Sequence, residues 1–84
     1  DAVCISTPDH WHGRMTVDAL DAGKDVYVEK PMTRTPEEAV AVLDAWQRTG
    51  RVVTVGVQSM ADGVWVRAFD FVRQGGIGHV AQAQ

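Results

Sequence analysis

An acid, a base and a proline follow one another at the end of a short apolar run in this chain. The run "DVYV" is followed directly by Glu29, Lys30 and Pro31. A Lys at the end of a strand can donate a hydrogen bond to a substrate hydroxyl or carbonyl, or help to relay a proton. Pro31 fixes the turn and biases Lys30 away from helical geometry. The pattern by itself is equally compatible with a catalytic Lys30 and with a solvated lysine.

The pair "HWH" places His10 and His12 two residues apart and suggests a metal site. A spacing of two does not bring both side chains to one helical face, and no nearby cluster completes a ligand set. We therefore predict no metal site. We expect His12 to lie in the first turn of a helix and to pack or form hydrogen bonds near the edge of the sheet.

The elements that must position these residues alternate between two kinds. Short, Val-rich, nearly continuous apolar runs indicate strands buried on both faces, and longer stretches with helical spacing separate them. This order predicts an α/β fold, a parallel three-stranded βαβαβ half of a Rossmann-like doubly wound sheet followed by a further helix. The predicted strands are 2–6, 25–29 and 52–57, and the predicted helices are 11–22, 36–49 and 62–74.

The second helix has the clearest boundaries. Thr35 is the expected N-cap, Pro36 the first helical residue and Glu38 the third position of a capping box, and Gly50 ends the helix.

Side chains further along the chain are assigned from the same periodicity. Asp44 and Arg48 are expected to pair on the outer surface of the second helix, whereas Trp46 and Trp65 lie on apolar stripes and are expected in the core. A final strand is expected near His79.

Ligands of open parallel sheets bind at the carboxyl ends of the strands. In this chain those ends carry the polar residues of 6–10, 29–31 and 58–59, whereas the opposite ends carry ordinary turn residues. The sequence therefore predicts a ligand site at the carboxyl edge.

Composition narrows the possible partners. The net charge is -3 and the pI about 5.4 with both signs interspersed, so no basic patch for nucleic acid or polybasic membrane anchor is present.

The single Cys4 is expected to pack in a buried strand. Because the chain of 84 residues begins inside an apolar run without Met, we expect it to be a piece of a longer protein. The cytoplasm is the expected compartment and the periplasm the alternative.

The motifs "STPDHWH", "AGKDVYVEKP", "TPEEA", "GVQS" and "GGIGHV" together resemble the Gfo/Idh/MocA family of NAD(P)-dependent oxidoreductases. The resemblance covers essentially the whole chain and implies a two-domain enzyme. Residues 1–77 would form the C-terminal half of the NAD(P)-binding Rossmann domain, and 78–84 the start of the substrate and dimerisation domain. One departure is Asp9, where many members carry Asn.

The resemblance also implies site residues. Lys30 would be catalytic and would reach both cofactor and substrate. The residues along the cofactor, NAD or NADP, would be Thr7, Pro8, His12, Glu29, Lys30 and Gln58. The implied substrate is a small sugar or polyol, and the implied parent is a homo-oligomer.

Three functions stay open at this point. The parent oxidises a secondary hydroxyl of a sugar, inositol or related polyol by hydride transfer to nicotinamide, or it is an NAD-dependent glycoside hydrolase of the same fold. The third possibility is an inactive or non-enzymatic truncated product. We expect the isolated 84 residues to be inactive and to bind dinucleotide weakly at best.

Overall fold

The computed structural model describes residues 1–83 as alternating strands and helices. The strands are β1 (Ala2–Ile5), β2 (Asp25–Glu29) and β3 (Val53–Gly56), and the helices are α1 (His12–Asp21), α2 (Pro36–Thr49) and α3 (Gly63–Arg73). All strands are parallel, in the order β1-β2-β3. The predicted three-stranded parallel α/β fold is confirmed. The prediction of a final strand near His79 is wrong, because residues 79–83 contain no strand.

The register of the sheet brings the three carboxyl ends together. Ile5 pairs with Val28, and Glu29 pairs with Gly56, so each strand ends within one or two residues of its neighbour's end. Parallel strands in this register deliver all the segments that follow them to the same edge.

The core lies between the sheet and the two helices that connect its strands. Alternate strand residues, among them Ile5 and Val28, pack against Leu20 of α1 and Ala45 of α2. The opposite face of the sheet carries Cys4, which is exposed. The prediction that both faces are buried, and Cys4 with them, is therefore wrong for the described residues, because α1 and α2 cover one face only.

Three side-chain assignments also differ from the structure. Trp46 is 45% and Trp65 63% exposed, so neither belongs to the core. Trp65 lies on α3, none of whose residues is buried. The Arg48 guanidinium lies 2.7 Å from an Asp21 carboxylate oxygen and thus joins α2 to α1 instead of pairing with Asp44.

Two hydrogen bonds between Glu38 and the residues just before α2 cap the start of this helix. Thr35 Oγ1 accepts a hydrogen bond from the Glu38 N–H at 3.2 Å, as the capping box predicts. The Glu38 carboxylate accepts one from the Arg34 N–H at 2.7 Å, one residue before the cap. These bonds fix the segment that connects β2 to α2. No helix within residues 1–83 is long and apolar enough to cross a membrane.

Candidate active site

The segments predicted to carry the site leave the sheet at the same edge. Residues 6–10 follow β1, residues 30–31 follow β2, and 57–59 follow β3. Lys30 is exposed there. Among residues 1–83, no carboxylate forms an ion pair with its ammonium group. The ammonium group is therefore accessible to a ligand at the carboxyl edge.

Both neighbours of Lys30 shape the backbone around it. The Glu29 carboxylate accepts a hydrogen bond from the Lys30 backbone N–H at 3.3 Å. The Lys30-Pro31 peptide bond is cis. Glu29 thus contacts the main chain of Lys30, and its carboxylate forms no ion pair with the Lys30 ammonium.

The loop after β1 is held against the start of α1. The Thr7 hydroxyl donates to the Met15 sulfur at 3.6 Å, and the Pro8 carbonyl accepts from the Trp11 N–H at 3.0 Å. Pro8 itself is exposed and Thr7 is half-buried. The loop therefore exposes Pro8 at the edge next to the end of β2.

His12 is the most buried polar side chain of this region, with 2% of its surface exposed. Its Nδ1 lies 2.7 Å from the Pro31 carbonyl oxygen, and its Nε2 lies 2.8 Å from the Thr7 carbonyl oxygen. Both ring nitrogens are therefore occupied by the main chain of the two loops. The contact with a cofactor that the resemblance implies for His12 stays a prediction, and this geometry leaves no exposed ring nitrogen to make it.

Gln58 lies at the end of β3 beside an open apolar groove of about 560 Å³. The groove runs between this strand end and α3, and Trp65 and Phe69 supply much of its wall. Ser59 turns the chain there with a φ of 66°. The edge thus offers an amide and an apolar surface on the strand next to Lys30.

These features fit a dinucleotide better than a metal ion. Within residues 1–83, no group of three His, Cys, Asp or Glu side chains could hold a metal. Binding sites for small organic ligands are mostly apolar surfaces with a few polar groups that orient the ligand. Gln58 and Ser59 are the polar residues of the groove, and Lys30 follows the neighbouring strand β2 at the same edge of the sheet.

Two contacts of the site were not predicted from the sequence. A Cβ on Gly56 would lie 2.9 Å from the Tyr27 hydroxyl oxygen, so the Tyr27 ring lies directly over this glycine. A Cβ on Gly13 would lie 3.4 Å from Glu38 Cβ, so the start of α1 approaches the start of α2 closely. Glycines inside a strand and a helix were the available signal, since both commonly mark a close approach.

Comparison with known proteins places these features in a family. Residues 1–57 match the GFO_IDH_MocA model, described as an oxidoreductase family with an NAD-binding Rossmann fold. The chain is 37% identical over 78 residues to scyllo-inositol 2-dehydrogenase (NAD(+)) of Bacillus subtilis, which covers 93% of the chain and 23% of that enzyme.

Two further similar proteins show that relatives of this chain differ in their activities. Alpha-N-acetylgalactosaminidase of Shewanella oneidensis is 43% identical over 49 residues, which are 58% of the chain and 11% of that enzyme. The crystal structure of myo-inositol 2-dehydrogenase from Lactobacillus plantarum superposes with a TM-score of 0.87 at 27% identity, over 95% of the chain and 24% of that structure. The chain thus spans about a quarter of each dehydrogenase it resembles.

Proposed function

Because the chain belongs to the Gfo/Idh/MocA oxidoreductase family, we propose that it forms the nicotinamide-side half of the NAD(P)-binding domain of a longer enzyme. Residues 1–77 would complete that domain, and 78–84 would lead into a substrate domain. The enzyme would oxidise a secondary hydroxyl of a sugar, inositol or related polyol. The scyllo-inositol dehydrogenase relative supports this substrate class.

One observation carries the proposal. An exposed lysine, unpaired with any carboxylate of residues 1–83, lies at the carboxyl edge of a parallel sheet, where the ligands of this fold class bind. Lys30 would donate a hydrogen bond from its ammonium to the substrate oxygen. It would stabilise the negative charge that grows on this oxygen as the hydroxyl passes its proton to a general base, which the substrate domain of the longer enzyme would supply.

The remaining residues would orient the two reactants. Thr7, Pro8 and Glu29 would lie along the nicotinamide half of the cofactor, and Gln58 would approach it from β3. The cofactor would supply the hydride acceptor. Holding donor carbon and acceptor in contact geometry is itself a large part of the rate enhancement of such reactions.

The test is oxidation by the complete gene product that contains these residues. The protein is incubated with NAD+ or NADP+ and a panel of inositols and sugars, and reduced nicotinamide is followed by absorbance. We expect substrate-dependent reduction with at least one polyol. Absence of reduction across the panel, together with no dinucleotide binding by calorimetry, would refute the proposal.

A glycoside hydrolase is the second candidate, and the 43% identity to the galactosaminidase favours keeping it. In such a reaction the dinucleotide would return to its starting oxidation state in each cycle, so no net reduction would accumulate. Release of the leaving group from a nitrophenyl glycoside without net reduced nicotinamide would select this activity over the dehydrogenase.

A further inference from the structure

His12 connects the two loops that carry the proposed site. The ladder between β1 and β2 ends with the pair Ile5 and Val28, and the loops continue beyond it without strand pairing. His12 lies just past that end, with Nδ1 at the Pro31 carbonyl and Nε2 at the Thr7 carbonyl. Among the described residues, no other side-chain hydrogen bond joins these two loops.

We propose that His12 is a positioning residue that sets Lys30 relative to the nicotinamide-side loop, and that it does not contact the cofactor itself. This inference rests on the proposed function of Lys30. Pro31 directly follows Lys30, so a bond to the Pro31 carbonyl fixes the main chain from which the ammonium projects. Thr7 belongs to the loop along which the nicotinamide would lie.

The imidazole is attached to a rigid support. His12, Thr16 and Leu20 are all buried and follow one another at intervals of four residues on the inner face of α1. Leu20 belongs to the core beneath the sheet. A ring fixed in this way transmits the position of the helix to both loops, and small displacements of a catalytic group are costly.

The contributions of Nδ1 and Nε2 can be separated by substitutions that keep a hydrogen-bond donor at only one of the two positions. Carbonyl oxygens only accept, so each ring nitrogen facing one must donate for a bond to form. A neutral imidazole has one N–H and donates to one of the two carbonyls, whereas a ring with both nitrogens protonated donates to both. The side-chain amide of Asn can reach roughly the place of Nδ1, and that of Gln roughly the place of Nε2. His12→Asn therefore keeps a donor toward Pro31, His12→Gln keeps one toward Thr7, and His12→Phe keeps neither.

The experiment uses these three variants in the complete gene product, with exposed Arg14→Ala on the same helix as the control. Turnover and dinucleotide affinity are measured on folded protein, and amide hydrogen exchange is measured over 7–11 and 30–35. We expect His12→Phe and His12→Gln to lower kcat by about 100-fold with a much smaller change in dinucleotide Kd. We expect His12→Asn to retain most of the turnover, because Met15 and the Trp11 N–H still hold the Thr7 loop against α1 when the bond from Nε2 is lost. We expect Arg14→Ala to match the wild type.

Equal kcat in the Asn and Gln variants would overturn the inference, even if His12→Phe does not fold. A purely structural role would lower the unfolding temperature of all three variants but leave kcat per folded molecule unchanged. The exchange measurement is independent of the reaction. If the wild type proves to have no dehydrogenase activity, faster exchange over both loops in His12→Phe still supports the connection, and unchanged exchange refutes it.

Discussion

The carboxylate of Glu29 accepts a hydrogen bond from the backbone N–H of Lys30, at 3.3 Å, and forms no ion pair with the Lys30 ammonium. Two opposite charges adjacent in sequence thus stay separate at the edge of the sheet. A paired ammonium would have to break its ion pair before it could bind a substrate oxygen. The arrangement leaves the cation accessible and uses the acid to hold the main chain beneath it.

Replacing Lys30 with Met should abolish most of the turnover while the fold is retained, because the exposed ammonium contributes little to packing. Loss of one donor to a developing oxyanion typically costs about 10²- to 10³-fold in kcat. The measurement is steady-state oxidation of the polyol that the wild type accepts, in the complete gene product.

Lys24→Met is the matched control for this prediction. Lys24 stands at the other end of the same strand, where its ammonium lies 3.1 Å from the Asp1 carboxylate. The Lys24→Met variant loses the same charge at the opposite edge of the sheet, so its turnover should equal that of the wild type. Near wild-type activity in Lys30→Met, or an equal loss in both variants, would contradict the catalytic role.

Thr35→Ala should destabilise the protein by about 1 kcal/mol, the usual effect of removing an N-cap side chain. The variant loses the bond from the Glu38 N–H to Thr35 Oγ1. The measurement is the free energy of unfolding from denaturant titration. Thr35→Ser keeps the hydroxyl and should remain within a few tenths of a kcal/mol of the wild type; an equal loss in both variants would assign the effect to the lost methyl group.

Local signals predicted the elements and their ends because they are written in neighbouring residues. The cap at Thr35 and the stop at Gly50, whose φ is 64°, follow from chemistry within one turn. The alternation of strands and helices then placed Lys30 at the carboxyl edge. That step needed only the direction of parallel strands.

Burial and long-range contacts could not be predicted in the same way. Apolar periodicity marks a face that can be covered, and Trp46 and Trp65 lie on such faces yet remain exposed because no described element packs over them. The two carbonyl partners of His12 lie five residues before it and nineteen after it. Such a contact depends on how two loops meet, which no local pattern records.

Glu37 gives the stability of the protein a defined pH dependence. Its own backbone N–H, and then the Thr35 side chain, hydrogen-bond to its carboxylate and lower its pKa below the usual 4.5. The unfolded chain therefore binds a proton at higher pH than the folded one. The stabilisation by Glu37 is complete above pH 4.5 and is lost as the pH falls below that value through the lowered pKa.

The measurement compares the free energy of unfolding of wild type and Glu37→Gln in a pH series. The difference should be constant near neutral pH and should shrink as the pH falls below 4.5. Asp44→Asn, on the same helix but away from its first turn, controls for the loss of one carboxylate. A difference that grows on acidification would contradict the assignment.

Gly56 and Tyr27 should be energetically coupled across the exposed face of the sheet. A Cβ at Gly56 would meet the Tyr27 ring at 2.9 Å from the hydroxyl oxygen and 3.0 Å from Cε1, so Gly56→Ala must displace the ring. Tyr27 is 46% exposed and can move, so the cost is moderate and is confined to the contact between these two residues. Removing the ring should remove that cost.

A double-mutant cycle measures this coupling in the complete gene product. Gly56→Ala is introduced into wild type and into Tyr27→Val, and the free energies of unfolding are compared. Contacting residues typically show interaction energies of about 0.5 to 3 kcal/mol. We expect Gly56→Ala to be destabilising in the wild type. In the Tyr27→Val background it should be neutral or stabilising, because alanine costs less entropy than glycine in a strand. An equal effect in both backgrounds would show that the glycine is required for a reason other than the ring above it.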